Sequence, residues 1–228
     1  MKRSKFILLV LLVVVPISTI CSSSIGAANI SSAEIISVIA NRLSLPLGIE
    51  FSPQTEAIIW NIRLPRVLMS LVAGAALALC GAAMQGLFRN PLADPSILGV
   101  SSSAALTTSF AIVLLGPYLL QWQESLGIAV LPFASFVGAV GSIYLIFSLA
   151  RAHGKIHVST MLLGGIAINA LAGAGIGLLT YMADDAQLRS LTFWTLGSLG
   201  GINWGQLGLM SVVLILSLTL ILPLAKNL

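Results

Sequence analysis

The chain has 228 residues, 8% of them charged and 57% hydrophobic, with 21 glycines besides. Ordinary globular proteins carry about 25% charged residues, and a solvated surface needs that charge. Together with a mean hydropathy of +1.04, the composition excludes a soluble domain, a disordered chain, a collagen and a disulfide scaffold. It implies a polytopic membrane protein, and at about 20 apolar residues per span this length holds roughly six or seven helices.

The gaps between charges locate the spans. Phe6–Ala33, Val67–Phe88, Pro95–Gln123, Ser125–Ala150, Ile156–Ala183 and Ser190–Ala225 are uncharged over 28, 22, 29, 26, 28 and 36 residues. Each exceeds the roughly 18 residues that suggest a membrane helix. They predict helices over 6–25, 65–87, 96–115, 127–150, 159–181 and 204–225, an all-α bundle of about six transmembrane helices forming one membrane domain over 1–228. The first span has a rival reading. Met1–Lys5 and Phe6–Val15 have the layout of a secretory signal, with Gly26-Ala27-Ala28 as a cleavage site. The stretch up to Cys21 is similar to a lipoprotein signal, except that Ile20 stands where a small residue is needed. An uncleaved span fits the length better.

Lys and Arg set the orientation. With the N-terminus in the cytoplasm, Lys2, Arg3, Lys5, Arg89, Arg151, Lys155 and Lys226 fall inside. Arg42, Arg63, Arg66 and Arg189 fall outside, as do Glu34, Glu50, Glu56, Glu124, Asp184 and Asp185. The formal net charge of +4 then belongs to a membrane-facing rim and gives no reason to invoke nucleic acid.

The long polar stretch is 29–64. Apolar residues at 35, 36, 38, 39 and 43 predict a short amphipathic helix on the membrane surface, capped by Ser31 or Ser32. Phe88–Pro95 holds two prolines four apart, which disfavour helix at and before themselves. It is either a plain connector or a constriction, since irregular backbone at membrane depth must be buried in protein or line a cavity. Gly173 and Gly177 form a small-xxx-small face for close helix approach. His153 and His157 could share a helix face as metal or haem ligands, although a solvated loop is the simpler reading, and no metal site is expected. Cys21 and Cys80 imply no disulfide framework; Met84, Met161 and Met182 read as packing. The sequence has no phosphate-binding loop, nucleophile elbow or zinc-protease motif, so it is not read as an enzyme. No carboxylate stands in mid-span, which disfavours an ion-coupled secondary carrier; the missing nucleophile motifs disfavour an intramembrane hydrolase.

Two blocks are distinctive. The first is Arg63-Leu-Pro-Arg66, then 74–86 (Gly-Ala-Ala-Leu-Ala-Leu-Cys-Gly-Ala-Ala-Met-Gln-Gly), Asn90-Pro-Leu-Ala-Asp-Pro95 and Leu98-Gly-Val-Ser101. The second is 194–201 (Trp-Thr-Leu-Gly-Ser-Leu-Gly-Gly), followed by Trp204. They resemble the permease family of binding-protein-dependent ABC importers for iron-siderophores, haem and cobalamin. The stretch Asp184-Asp-Ala-Gln-Leu-Arg189 resembles the haem branch more than the others, with an iron-siderophore permease as the alternative. The resemblance implies a multi-pass protein of the bacterial cytoplasmic membrane, acting as a homodimer of ten-helix subunits. Cytoplasmic ATP-binding subunits would consume ATP, with no cofactor on this chain, and an extracytoplasmic haem- or siderophore-binding protein would dock outside. By resemblance, Arg63 and Arg66 meet acidic residues of the binding protein, and Asn90, Leu92, Ser159 and Thr160 form the cytoplasmic gate. Exposed guanidiniums serve register and encounter rate more than affinity. The family has ten helices and this chain six. Its ATPase-coupling segment would begin where the chain stops, at Lys226-Asn-Leu228. The expectation is that residues 1–228 insert in a membrane but neither hold the ATPase nor support uptake.

Overall fold

The computed structural model describes residues 2–26, 28–45, 47–116, 118, 130–152 and 155–224. The expectations for the cleavage-site residue Ala27, the His153 ligand, Glu124 and the tail Ala225–Leu228 lie outside the described residues. Helices follow one another as α1 (Lys2–Ser24), α2 (Ser32–Arg42), α3 (Pro53–Ile58), a π turn (Ile59–Arg63) and α4 (Leu64–Phe88). A 3-10 turn (Pro95–Leu98) then leads to α5 (Val100–Leu114) and α6 (Val130–Ala150). A two-residue hairpin pairs β1 (Arg151–Ala152) with β2 (Lys155–Ile156), before α7 (Val158–Met182), α8 (Asp185–Leu196) and α9 (Trp204–Leu224).

The helical class and the span positions agree with the uncharged runs. Five described helices are long and apolar enough to cross a membrane: Lys5–Ser24, Pro53–Phe88, Val130–Ala150, Val158–Met182 and Trp204–Leu224. The expected span over 96–115 is shorter. Gly99, at φ +68°, stands between the 3-10 turn and α5 and leaves a helix of 15 residues. The second expected span is longer, because α3, the π turn and α4 run on for 36 residues.

The chain forms two compact units, one running through Leu79 and resuming at Leu199, the other Cys80–Ser198. In the first, α2 starts on a capping box. The Ser31 hydroxyl accepts the Glu34 N–H at 3.2 Å, and the Glu34 carboxylate accepts the Ser31 N–H at 2.8 Å. The Ser31 N–H and then the Ser31 hydroxyl, which donates to the same carboxylate at 2.8 Å, hold the Glu34 carboxyl below its ordinary pKa. The apolar face of α2 meets protein rather than lipid headgroups: Ile35 and Val38 are fully buried with Ile30, Ile59 and Leu64. The helix therefore covers the chain's own core, while Ile36, off that face, stays exposed. Beside it, Arg42 pairs with Glu56 at 2.8 Å and lies 5.1 Å from the Trp60 ring centroid. The Trp204 indole N–H donates to the Trp60 carbonyl at 2.9 Å, with the two rings 5.0 Å apart.

In the second unit, hydroxyls join α5 to α6. Thr107 donates to the Ala134 carbonyl at 2.8 Å, and the Thr108 and Ser135 hydroxyls are 2.7 Å apart. Such bonds supply what lipid cannot, since hydrocarbon gives no hydrophobic drive between helices. The glycines that admit close approach differ from those expected. A methyl group at Gly173 or Gly177 would meet no described atom within 4 Å, whereas at Gly138 it would lie 2.5 Å from the Ser103 carbonyl oxygen. Gly138→Ala should therefore lower the thermal midpoint of the detergent-solubilised protein, at a cost of about 1–3 kcal/mol for overpacking. Gly173→Ala should leave the midpoint unchanged or raise it, because alanine favours helix. Equal midpoints for the two variants would show that the α5–α6 approach is not tight.

Candidate functional site

Two sites carry the residues singled out from sequence, one in each unit. The first is built on the π turn. The Leu64 N–H donates to the Ile59 carbonyl five residues back, an arrangement that recurs at functional positions in helices. It delivers Arg63 inward. The side chain is 8% exposed, and Nη1 donates to the carbonyls of Ser23 at 2.6 Å and Ser24 at 3.2 Å. Nη2 donates to the Ala28 carbonyl at 2.5 Å. A helix end leaves its last carbonyls without intrahelical partners, and the planar guanidinium satisfies those at the end of α1 together with one in the following link. The expected pair of exposed arginines is thus divided: Arg63 is consumed as a clamp, and Arg66 stays exposed. Among the described residues Arg66 has no hydrogen-bond or ion-pair partner. Both arginines border a recess of about 850 Å³ whose walls include Ile58, Ile62 and Val67.

The second site is the segment from Phe88 to Gly99. Arg89 takes a left-handed φ of +49° as α4 ends. Asn90 Oδ1 accepts the Leu92 N–H at 2.9 Å, the Asn90 carbonyl accepts the Ala93 N–H at 3.1 Å, and Gln85 Nε2 donates to the Pro91 carbonyl at 3.1 Å. Asp94 Oδ1 then accepts the Ser96 N–H at 2.8 Å and opens the 3-10 turn, with Pro95 in first place. Hydrogen bonds from the Ser96 side chain and backbone hold the Asp94 carboxyl below its ordinary pKa. The double-proline segment is a stiff turn, with its polar backbone groups met by local side chains.

The turn borders a cavity of about 150 Å³, lined by Asn90, Asp94 and Ile97 together with Val158 and Leu162 of α7. The structure thus brings Asn90 to the opening of α7. Ser159 and Thr160 stand exposed in the first turn of that helix, and Leu92 is 83% exposed; none of the three lines the cavity. His157 precedes α7 with its N–H donating to the Ala150 carbonyl at 3.1 Å. Among the described residues no three His, Cys, Asp or Glu side chains converge on one point. Cys21 and Cys80 are free thiols.

Two polar groups carry more than their sequence reading assigned them. Asn169, in α7, donates from Nδ2 to the Ser96 carbonyl at 3.2 Å and accepts the Ser102 hydroxyl at 2.6 Å. The signal was present, since Asn169 is the lone carboxamide in the uncharged run Ile156–Ala183. The acidic run at 184–189 is a helix cap. Asp184 Oδ1 accepts the N–H groups of Ala186 and Gln187 at 2.9 and 2.8 Å, and Gln187 Oε1 accepts the Asp184 N–H at 3.1 Å. Gln187 Nε2 also donates to the Val113 carbonyl at 3.2 Å.

Residues 10–228 match the FecCD transport family. The chain is 43% identical over 192 residues to the hemin transport system permease protein HmuU of Yersinia pestis, covering 81% of this chain and 52% of that protein. It is 36% identical over 178 residues to the vitamin B12 import system permease protein BtuC of Shigella boydii, covering 78% of this chain and 52% of that one. This chain spans about half the length of the curated relatives it matches. A solved inward-facing structure of a metal-chelate type ABC transporter superposes with a TM-score of 0.75 at 28% identity, over 96% of this chain and 62% of its counterpart.

The two arginines should respond differently to substitution. Arg63→Met frees three carbonyls and should destabilise the protein by about 2–3 kcal/mol, the scale of charge-assisted bonds lost from buried partners. Arg63→Lys should recover only part, because an ammonium lacks the planar fork. Arg66→Met should stay within about 0.5 kcal/mol. Thermal unfolding in detergent checks the order; a harmless Arg63→Met would remove the clamp.

Proposed function

This chain belongs to the FecCD transport family, and from that premise we propose that it is the transmembrane permease subunit of an ABC importer that translocates haem, driven by ATP hydrolysis on a separate subunit. The observation that carries the haem assignment is the 43% identity to a hemin permease. The 184–189 run adds little to it, since its Asp184 and Gln187 are occupied in capping α8. A second reading, a corrinoid or another metal chelate, is favoured by the 36% identity to a vitamin B12 permease. The partners would be a second permease subunit, two cytoplasmic ATP-binding subunits and an extracytoplasmic binding protein. In this reading the chain lies in a bacterial inner membrane, and the distribution of Lys and Arg supports an N-terminus on the cytoplasmic side.

The site residues take distinct roles in this reading. Arg66, exposed and unpaired, presents a cation to acidic groups of the binding protein. Arg63 holds α1 against the helix that carries Arg66 and acts on docking through position. Asn90, Leu92, Ser159 and Thr160 form the cytoplasmic constriction. These are short polar or apolar groups, able to close and reopen without stranding a buried charge, whose desolvation would cost several kcal/mol.

Two measurements test this. Proteoliposomes holding the assembled transporter that contains this chain should take up haem with ATP faster than cobalamin or a ferric siderophore; faster cobalamin uptake would favour the second reading, and no ATP-dependent uptake of any chelate would refute the class. Arg66→Glu should slow association of the binding protein about tenfold at low salt and flatten its salt dependence, the signature of lost electrostatic steering. Unchanged association kinetics would remove Arg66 from the docking surface.

A further inference from the structure

One face of α7 meets the segment from Asn90 to Ser102 at successive points. Val158, Leu162, Gly165 and Asn169 recur at i, i+4, i+7 and i+11, which places them in one stripe along the helix. Val158 and Leu162 share the small cavity with Asn90 and Asp94. Gly165 lies so close to the 3-10 turn that a methyl group there would stand 2.0 Å from the Ile97 carbonyl oxygen. Asn169 ends the stripe and bonds on both sides of the Gly99 break, to the Ser96 carbonyl before it and the Ser102 hydroxyl after it.

We propose that Asn169 is a positioning residue for the gate: its carboxamide fastens the 90–102 segment to the stripe on α7, so that the Asn90 turn and the Ser159-Thr160 helix opening move as one piece. This rests on the gate reading above. The chain of bonds is continuous. Asn90 orders the turn, Asp94 caps Ser96, and the Ser96 carbonyl is held by Asn169. Gly165 supplies proximity without direction, since a bare backbone contact lets the turn slide along the helix. The carboxamide is directional. It donates on one side of the break and accepts on the other, so it selects one register. Asparagine can do both at once; an ionised aspartate can only accept.

The test uses the assembled transporter containing this chain, with Cys21→Ser, Cys80→Ser and a Leu92→Cys reporter labelled by a membrane-impermeant maleimide, with and without nucleotide. With Asn169 intact, the labelling rate should change on nucleotide binding. Asn169→Ala should reduce that change about three- to tenfold, the range set by interhelical hydrogen bonds in membranes. Haem uptake per ATP hydrolysed should fall with it, while the ATPase keeps turning over. Asn169→Asp keeps the acceptor for Ser102 but sets a carboxylate against the Ser96 carbonyl, and should be as impaired as Asn169→Ala. Ser102→Ala, which removes one bond from a partly exposed site, should be milder and serves if the other variants fail to assemble. A nucleotide response that survives Asn169→Ala would overturn the positioning role alone. The same holds if all variants change only the yield of assembled complex and leave the uptake-to-hydrolysis ratio intact. Labelling indifferent to nucleotide with Asn169 present would overturn the gate reading and the positioning role with it.

Discussion

Where this apolar chain leaves the helical conformation out of reach of water, its backbone N–H and C=O groups must find partners within the protein. Hydrocarbon offers none, and each unsatisfied group costs several kcal/mol. The scarce polar side chains are placed accordingly. Arg63 serves carbonyls about 40 residues earlier in the chain, at the end of α1. Asn90, Gln85 and Asp94 serve the turn after α4, Asn169 the break at Gly99, and Asp184 with Gln187 the start of α8. Among the described residues every buried side-chain nitrogen and oxygen has a partner.

The span positions were legible because charges are so few that the gaps between them report helices directly. Val158–Met182 differs by a single residue at each end from the range expected for it. Where the sequence misled, a local exception intervened. Gly99 cut one run short, and α3 with the π turn lengthened another, although a polar composition around Gln54, Glu56 and Asn61 reads as loop. The face of α2 was correctly identified, yet its destination was not, since an apolar stripe reads the same whether it will meet lipid or the chain's own Ile59 and Leu64.

The sites were legible only as residue types. Two arginines three apart look equivalent on a helical wheel, and nothing in their spacing says that one will be spent on carbonyls of an earlier helix. That outcome depends on where α1 ends relative to the π turn, a tertiary fact. Asn90 was marked by its two prolines, but its neighbour across the cavity, Leu162, is one leucine among many. Asn169 could have been found, because a carboxamide in a long apolar run needs an account. Its two partners, Ser96 and Ser102, belong to a segment some 70 residues away.

The π turn has a consequence for what kind of change this region tolerates. An α-helix advances about 100° per residue, and a turn closed five residues back holds one residue more than its neighbours. The stretch Pro53–Ile58 and the stretch beginning at Leu64 are therefore out of phase on a common axis, like two lengths of screw joined with the thread offset. Apolar exchanges within Ile59 to Ile62 keep that offset. Loss of a single residue erases it, swinging Glu56 and the Ser52 cap roughly a quarter-turn away from Arg42 while α4 stays in place. The segment is forgiving of spelling and intolerant of length.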